Sequence, residues 1–180
     1  MTVIAEANGL GHDLVRCIHQ DRSGGIWAGT GFGGLSKFTS DAFIYFNERD
    51  GLPSRIVSGI LRTADGLIYM ATIGGGLAMW DGVELHTYGR AEGLPSLFVT
   101  CLAEDEEGYL LLGTALHGMH RLRGERIEPV LSVGVLETDR IHAIRRDAEG
   151  RIWVGTASGL HLDPGSGKYQ LIGSRQRAVH

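Results

Sequence analysis

Four copies of one short pattern, set at a fixed interval, constrain this chain more than any other feature. Gly24-Gly25-Ile26-Trp27-Ala28-Gly29-Thr30 runs on to Gly34-Leu35, and Gly66-Leu67-Ile68-Tyr69-Met70-Ala71-Thr72 to Gly76-Leu77. Gly108-Tyr109-Leu110-Leu111-Leu112-Gly113-Thr114 runs on to Gly118-Met119, and Gly150-Arg151-Ile152-Trp153-Val154-Gly155-Thr156 to Gly159-Leu160. The leading glycines are 42 residues apart throughout, as are Thr30, Thr72, Thr114 and Thr156. A fixed period of this length marks a stacked repeat, in which each unit completes its core against its neighbours.

Within each unit, four short apolar runs are separated by turn residues. In the first, Leu14–Gln20, Ile26–Thr30, Gly34–Phe38 and Phe43–Phe46 read as strands. The second gives Arg55–Arg62, Leu67–Thr72, Leu77–Trp80 and Glu84–Tyr88, with Asp81-Gly82 predicting a two-residue hairpin turn. The third gives Phe98–Glu104, Tyr109–Thr114, Met119–Leu122 and Arg126–Val130, and the fourth Arg140–Arg146, Ile152–Thr156, Leu160–Asp163 and Tyr169–Ile172. The runs are too short for helices, and no 3.6-residue period is sustained. The expected fold is all-β: a β-propeller-type array of four four-stranded antiparallel blades spanning 9–50, 51–92, 93–135 and 136–172, with a tail at 173–180.

Shifted by 42 residues, Thr2-Val3-Ile4 aligns with Ile44-Tyr45-Phe46, so residues 1–8 read as the last strand of a preceding blade or as a closing strand. That makes seventeen strands where a closed ring of four blades needs sixteen. The chain is then a segment of a longer array, or the extra strand closes a small ring. The tail, unlike any repeat, favours a segment. A monomer would fit a closed ring or a stable open array, and a dimer two halves completing an eight-blade ring.

The formal charge is -4, with 17 basic and 21 acidic side chains and no basic block, so a nucleic-acid surface is not expected. No apolar run reaches the ~20 residues of a membrane helix. The N-terminus has neither the basic start nor the apolar core of a signal peptide. Cys17 and Cys101 share a repeat position with Gly59 and Ala143, which indicates a small residue rather than a disulfide.

Val15-Arg16-Cys17-Ile18, Asp21, Gly24, Ile26-Trp27, Gly29-Thr30, Gly34-Leu35 and Gly51-Leu52-Pro53 together resemble the two-component regulator propeller repeat. The match recurs at Ile141, Ile144, Asp147, Gly150, Ile152-Trp153, Gly155-Thr156 and Gly159-Leu160. The resemblance implies the periplasmic sensor part of a bacterial hybrid histidine kinase, a kinase module in the same protein or in trans, and a ligand that in many members is thought to be an oligosaccharide. With no signal peptide seen, a cytoplasmic location stays open. The family's usual repeat number exceeds four, and no transmembrane, kinase or response-regulator segment follows here.

The recurring glycines lie between strands and not before a helix, so they are turns and not a phosphate loop. Trp27 and Trp153, with Tyr69 and Leu111 at the same position, read as fillers between blades. Asp21, Asp105 and Asp147 precede the first hairpin turn and read as turn formers. His117 and His120 have metal-like spacing but lack further ligands, so no metal or cofactor is expected. In a meander blade the loops after the second and fourth strands share one face, where the first strands line the channel. His12, Asp13, Arg16, Phe32, Arg55, His117, Asp139 and His142 fall at that mouth, and there the repeats differ. Ser58 and Thr100 occupy the same lining row as Arg16 and His142. An aromatic, acids, an arginine and hydroxyls suit a sugar or another small polar ligand. The expected function is ligand sensing without catalysis. The alternatives are a scaffold that assembles with another copy and a propeller enzyme resembling the virginiamycin lyases.

Overall fold

The structure is a computed structural model that describes residues 4–39, 42–130, 136, 139–165 and 167–172. The strands of blade 1 are β1 (Val15–Gln20), β2 (Ile26–Thr30), β3 (Leu35–Phe38) and β4 (Phe43–Phe46). Blade 2 has β5 (Val57–Arg62), β6 (Ile68–Thr72), β7 (Gly76–Trp80) and β8 (Leu85–Tyr88). In blade 3 they are β9 (Val99–Glu104), β10 (Leu110–Thr114), β11 (Met119–Arg123) and β12 (Arg126–Pro129). Blade 4 has β13 (Ile141–Arg146), β14 (Ile152–Thr156), β15 (Leu160–Asp163) and β16 (Gln170–Ile172). Each blade is an antiparallel meander in chain order, as the spacing of the apolar runs predicts.

Two side chains explain the repeated residues. The Thr hydroxyl at the end of each second strand donates to the glycine carbonyl that closes the following loop: Thr30 to Gly34 (3.0 Å), Thr72 to Gly76 (2.8 Å), Thr114 to Gly118 (2.9 Å) and Thr156 to Gly159 (3.1 Å). At the first hairpin, Asp21 Oδ1 accepts from Ser23 N and Gly25 N, while its Oδ2 accepts from Trp27 Nε1 at 2.9 Å. Asp147 repeats this with Glu149 N, Arg151 N and Trp153 Nε1 at 2.7 Å. Turn and inter-blade filler are thus fixed by one carboxylate.

The innermost strands β1, β5, β9 and β13 pack side by side. They come this close because small residues face each other across the first two strands: Cys17 and Gly29, Gly59 and Ala71, Cys101 and Gly113, Ala143 and Gly155. Val57, Val99 and Ile141 of the following blades are completely buried at the first three of these sites. A methyl built on Gly29 would lie 2.7 Å from Val57, and one on Gly113 2.6 Å from Ile141. Three cores result, at the junctions of blades 1 and 2, 2 and 3, and 3 and 4. Among the described residues, blades 1 and 4 share no core. Leu10, Leu52, Leu94 and Leu136, all buried, anchor the segments that lead into the blades.

One expectation needs correction, and two others fall largely outside the described residues. Asp81-Gly82 does not close a two-residue turn: Trp80 pairs with Leu85, and Asp81 Oδ1 draws in Val83 N and Glu84 N, giving a four-residue loop. The strand expected over Thr2–Ile4 lies mostly outside the described residues, and Ile4 is in no strand. Glu6–Asn8 instead form a 3-10 turn closed by Gly9 at φ 103°, matching Glu48–Asp50 closed by Gly51 at φ 94°. In blade 4 the loop after β14 is one residue shorter, so Leu160 takes the place of Met119 opposite the strand-two glycine. The tail at 173–180 lies outside the described residues.

The crowded and open sockets make a direct comparison. Gly113→Ala is expected to lower the unfolding free energy by about 1–3 kcal/mol through overpacking against Cys101 and Ile141. Gly155→Ala, which among the described residues meets only Ala143 at 3.9 Å, should leave the unfolding free energy from urea titration within about 0.5 kcal/mol of the unsubstituted chain.

Candidate functional site

The loop after each second strand meets the segment leading into the next blade. Backbone bonds join them: Gly34 N to Arg55 O (2.8 Å), Gly76 N to Leu97 O (2.9 Å) and Gly118 N to Asp139 O (3.2 Å). At the junction of blades 1 and 2 this leaves a cleft of about 300 Å³ lined by Phe32, Gly33, Asn47, Glu48, Arg49 and Arg55. Phe32 stands 53% exposed on its rim. Arg55 is held by Glu48 Oε2 through Nη2 at 2.8 Å and Nε at 3.3 Å. The His12 ring meets Phe32 edge-on at 5.3 Å, and its Nδ1 accepts from Leu14 N, which fixes the imidazole.

The structure thus brings His12, Phe32 and Arg55 to one place. Asp13 is committed elsewhere: its Oδ1 accepts from Glu6 N (2.7 Å), and its own N–H donates to Glu6 Oε1 (3.1 Å). His117 and Asp139 meet at the junction of blades 3 and 4, through the Gly118 bond. His117 is exposed there, its N–H on Thr114 Oγ1. Burial works to raise the Asp139 carboxyl pKa, but hydrogen bonds from Ser158, Thr156 and Arg140 N outweigh it and hold the group below the ordinary carboxylate range. The Ser158 hydroxyl donates to Asp139 Oδ2.

Arg16 and His142 are exposed on β1 and β13, at opposite ends of the innermost row. They share a β-bulge that recurs in every first strand, which frees residues 16, 58, 100 and 142 from the ladder. Here the lining row reads differently from its sequence. Ser58 donates to Val99 O at 2.7 Å and Thr100 to Ile141 O at 2.6 Å, so these hydroxyls stitch one blade to the next. Asn47, Glu48 and Arg49 were not among the expected residues. Their signal was the inter-blade segment, where Gly89-Arg90-Ala91 stands at the same place one repeat later.

A cleft of about 340 Å³ opens on the opposite face, between blades 2 and 3, beside Asp65, Tyr69, Glu104 and Tyr109. Tyr69 belongs to the core there, and Asp65 bonds Thr63 of its own turn, so that cleft is built from structural groups. Asp81, Glu84 and His86 cluster in the outer turn of blade 2. Their carboxylates and imidazole bond one another and the turn backbone. His120 faces the core between blades and not His117's solvent. Burial, with His117 adding to it, pushes its pKa down to about 4. The two do not form an open ligand pair. Among the described residues no helix is long and apolar enough to cross a membrane.

A row of meander blades with a variable loop face defines a propeller-type repeat domain. Three of its units are two-component regulator propeller repeats: the family model described as two component regulator propeller matches residues 9–32, 93–115 and 136–158. Blade 2, outside those matches, has Thr63, Tyr69 and Ala71 where blade 1 has Asp21, Trp27 and Gly29, yet keeps the same pairing. No curated protein sequence matches the chain. Among solved structures, the extracellular domain assigned to a hybrid two component system of B. thetaiotaomicron is similar at 23% identity and TM-score 0.77, over 92% of this chain and 24% of that one. An extracellular domain assigned to a one component system of the same organism gives 20% and 0.75, over 92% and 25%. Virginiamycin B lyase from Staphylococcus aureus gives 14% and 0.69, over 87% and 54%. The chain spans about a quarter of the length of the two extracellular domains, and at these identities the likeness is one of fold.

His120 sets a pH dependence. The unfolded chain binds a proton near the ordinary histidine value, while the folded chain holds His120 neutral down to about 4. Stability is therefore complete above about 6.5 and lost as the pH falls towards 4, by up to about 3 kcal/mol. Burial lowers the His19 pKa too, which adds to the slope. Denaturant titrations should show this loss, and His120→Ala, which copies Ala78 of blade 2, should make the slope shallower.

Proposed function

We propose that the loop face of this array binds a small polar ligand, with an oligosaccharide the class it suits best, and that the chain is the sensing part of a two-component regulator. The cleft at the junction of blades 1 and 2 carries this reading. Phe32 offers an exposed ring face to the C–H surface of a sugar, while Arg55 with Asn47 supplies donors and Glu48 an acceptor for hydroxyls. These groups sit on loops that differ between repeats, on a scaffold that does not. His12, Asp13, Arg16, His117, Asp139 and His142 extend the same face as a wider mouth.

A ligand seated there touches the loop of blade 1 and the segment leading into blade 2 at once. It biases signalling to the extent that it binds one arrangement of those elements better than another. The output is passed to a histidine kinase module, in the same polypeptide or in trans. The likeness to extracellular sensor domains supports a periplasmic or extracellular place. The reading needs no cofactor, metal or catalysis from this chain.

The test is a thermal-shift screen against neutral and acidic oligosaccharides. A ligand present at a hundred times its Kd should stabilise the chain by about 2.7 kcal/mol. Phe32→Ala and Arg55→Ala should abolish that shift and leave the ligand-free Tm unchanged, since both side chains are largely exposed. If every sugar in the screen leaves Tm unmoved, the oligosaccharide assignment fails. If a shift persists in both variants, the site lies elsewhere.

A further inference from the structure

The hairpin face, opposite the loops, holds a polar cleft of about 290 Å³ under the junction of blades 1 and 2, lined by His19, Arg22, Arg62, Thr63 and Glu104 among others. His19 pairs with Trp27 and Arg62 with Ile68. Trp27 and Ile68 belong to the core of that junction, so His19 and Arg62 face each other from neighbouring blades. Three arginines among the described residues are half-buried. Arg121 is paired with Asp105 and Arg151 with Asp147, whereas Arg62 has neither an ion pair nor a hydrogen bond among the described residues. Its counterpart in blade 4, Arg146, donates to Asp105 O of the hairpin before. At this junction Arg22 makes the crossing instead, donating to Ala64 O at 3.3 Å. A methyl built on Gly66 would lie 3.0 Å from Arg62 Nη2, so the hairpin turn seats the guanidinium. His19 Nε2 is buried and also has no partner. The cause is a departure in blade 2: Thr63 stands where the other blades have Asp21, Asp105 and Asp147. Asp21 is itself taken up by Trp27 Nε1 and by Lys37 at 3.0 Å.

We propose that this cleft binds the oxyanion of a small molecule, a phosphate or a carboxylate group, between Arg62, Arg22 and His19. The planar guanidinium fork of Arg62 matches two oxygens of either group. Arg22 spends one N–H on Ala64 O and keeps the others for the ligand. A buried ring nitrogen without a partner is costly, and a ligand oxygen supplies the acceptor. Burial lowers the His19 pKa, with Arg62 adding to it and Asp21 opposing, so at neutral pH the ring serves as an uncharged N–H donor. The positive charge comes from the arginines. Glu104 also lines the cleft and has no ion pair among the described residues, so it accepts from a hydroxyl or ammonium beside the oxyanion. Such a ligand ties the hairpin of blade 1 to that of blade 2. The site is on the other face from the sugar cleft and does not rest on that reading.

NMR titration of the full chain with inorganic phosphate and with glycolate, against chloride at matched ionic strength, tests the site. The His19 ring and Arg62 Nε–H resonances should move to saturation with a Kd on the order of 1 mM, and chloride should not move them. Saturation by phosphate assigns a phosphate ligand, and saturation by glycolate a hydroxy acid; either one, or both, supports the site. Arg62→Gln should weaken binding about tenfold, read at His19. Arg22→Gln, at an exposed side chain that the fold does not need, should weaken it as well. Thr63→Asp gives Arg62 the carboxylate that the other blades carry and should abolish binding. The proposal is overturned if neither anion saturates, if chloride moves the same resonances equally, or if binding is undiminished in all three variants.

Discussion

The close approach of neighbouring innermost strands is the constraint on which the rest depends. A meander of four short strands has two apolar faces and cannot bury either alone. Here the next blade comes near enough only because the first two strands present paired small residues, Cys17 with Gly29 and Cys101 with Gly113. The β-branched side chains of Val57 and Ile141 fill the space. Close packing makes this intolerant of an added methyl. It also explains the two cysteines, which act as small apolar residues. Burial pushes both thiols up to about 11, far from the thiolate that redox or metal chemistry requires.

Around that contact, the repeated polar residues each satisfy a backbone group that the fold would otherwise leave buried and unpaired. Thr30, Thr72 and Thr114 are completely buried, and each finds its partner within its own loop. Asp21 and Asp147 tie the outer hairpin to the indole that fills the junction. The Asp21 carboxyl is held well below the usual range: burial opposes this, but Ser23, Trp27, Lys37 and Gly25 N outweigh it. Such residues have no freedom to serve a ligand. Variation is left to the loop after the second strand, the inter-blade segment and the bulge, where function can change without disturbing the stack.

Much of this was legible in one sequence because a repeat is its own control. Reading Trp27 beside Tyr69 and Leu111 showed a filler and not a site, and the strands fall within two residues of where the apolar runs put them. The misreadings share a cause, which is that a local pattern was outweighed by a contact. Asp81 spends its carboxylate on two backbone amides and opens the turn. Ser58 and Thr100 looked like a channel lining until the bulge turned them towards the next strand. His120 stands where the earlier units have Ser36 and Ala78, and only the junction shows that an imidazole is buried there. Asn47 and Glu48 were passed over because the linking segment has no periodicity to read.

The sequence by itself determined the blade, its strand order and the positions that cannot vary, because those follow from local alternation, turn chemistry and a strict 42-residue period. It left ring closure and the grouping of the mouth residues open. Only the tertiary structure decided that the described residues of the four blades form three cores, and that His12, Phe32 and Arg55 meet while Arg16 and His142 stand apart. These depend on how far each blade rotates against the next and which side chains reach across the junction. That geometry is set by packing between units and is not written in any one of them.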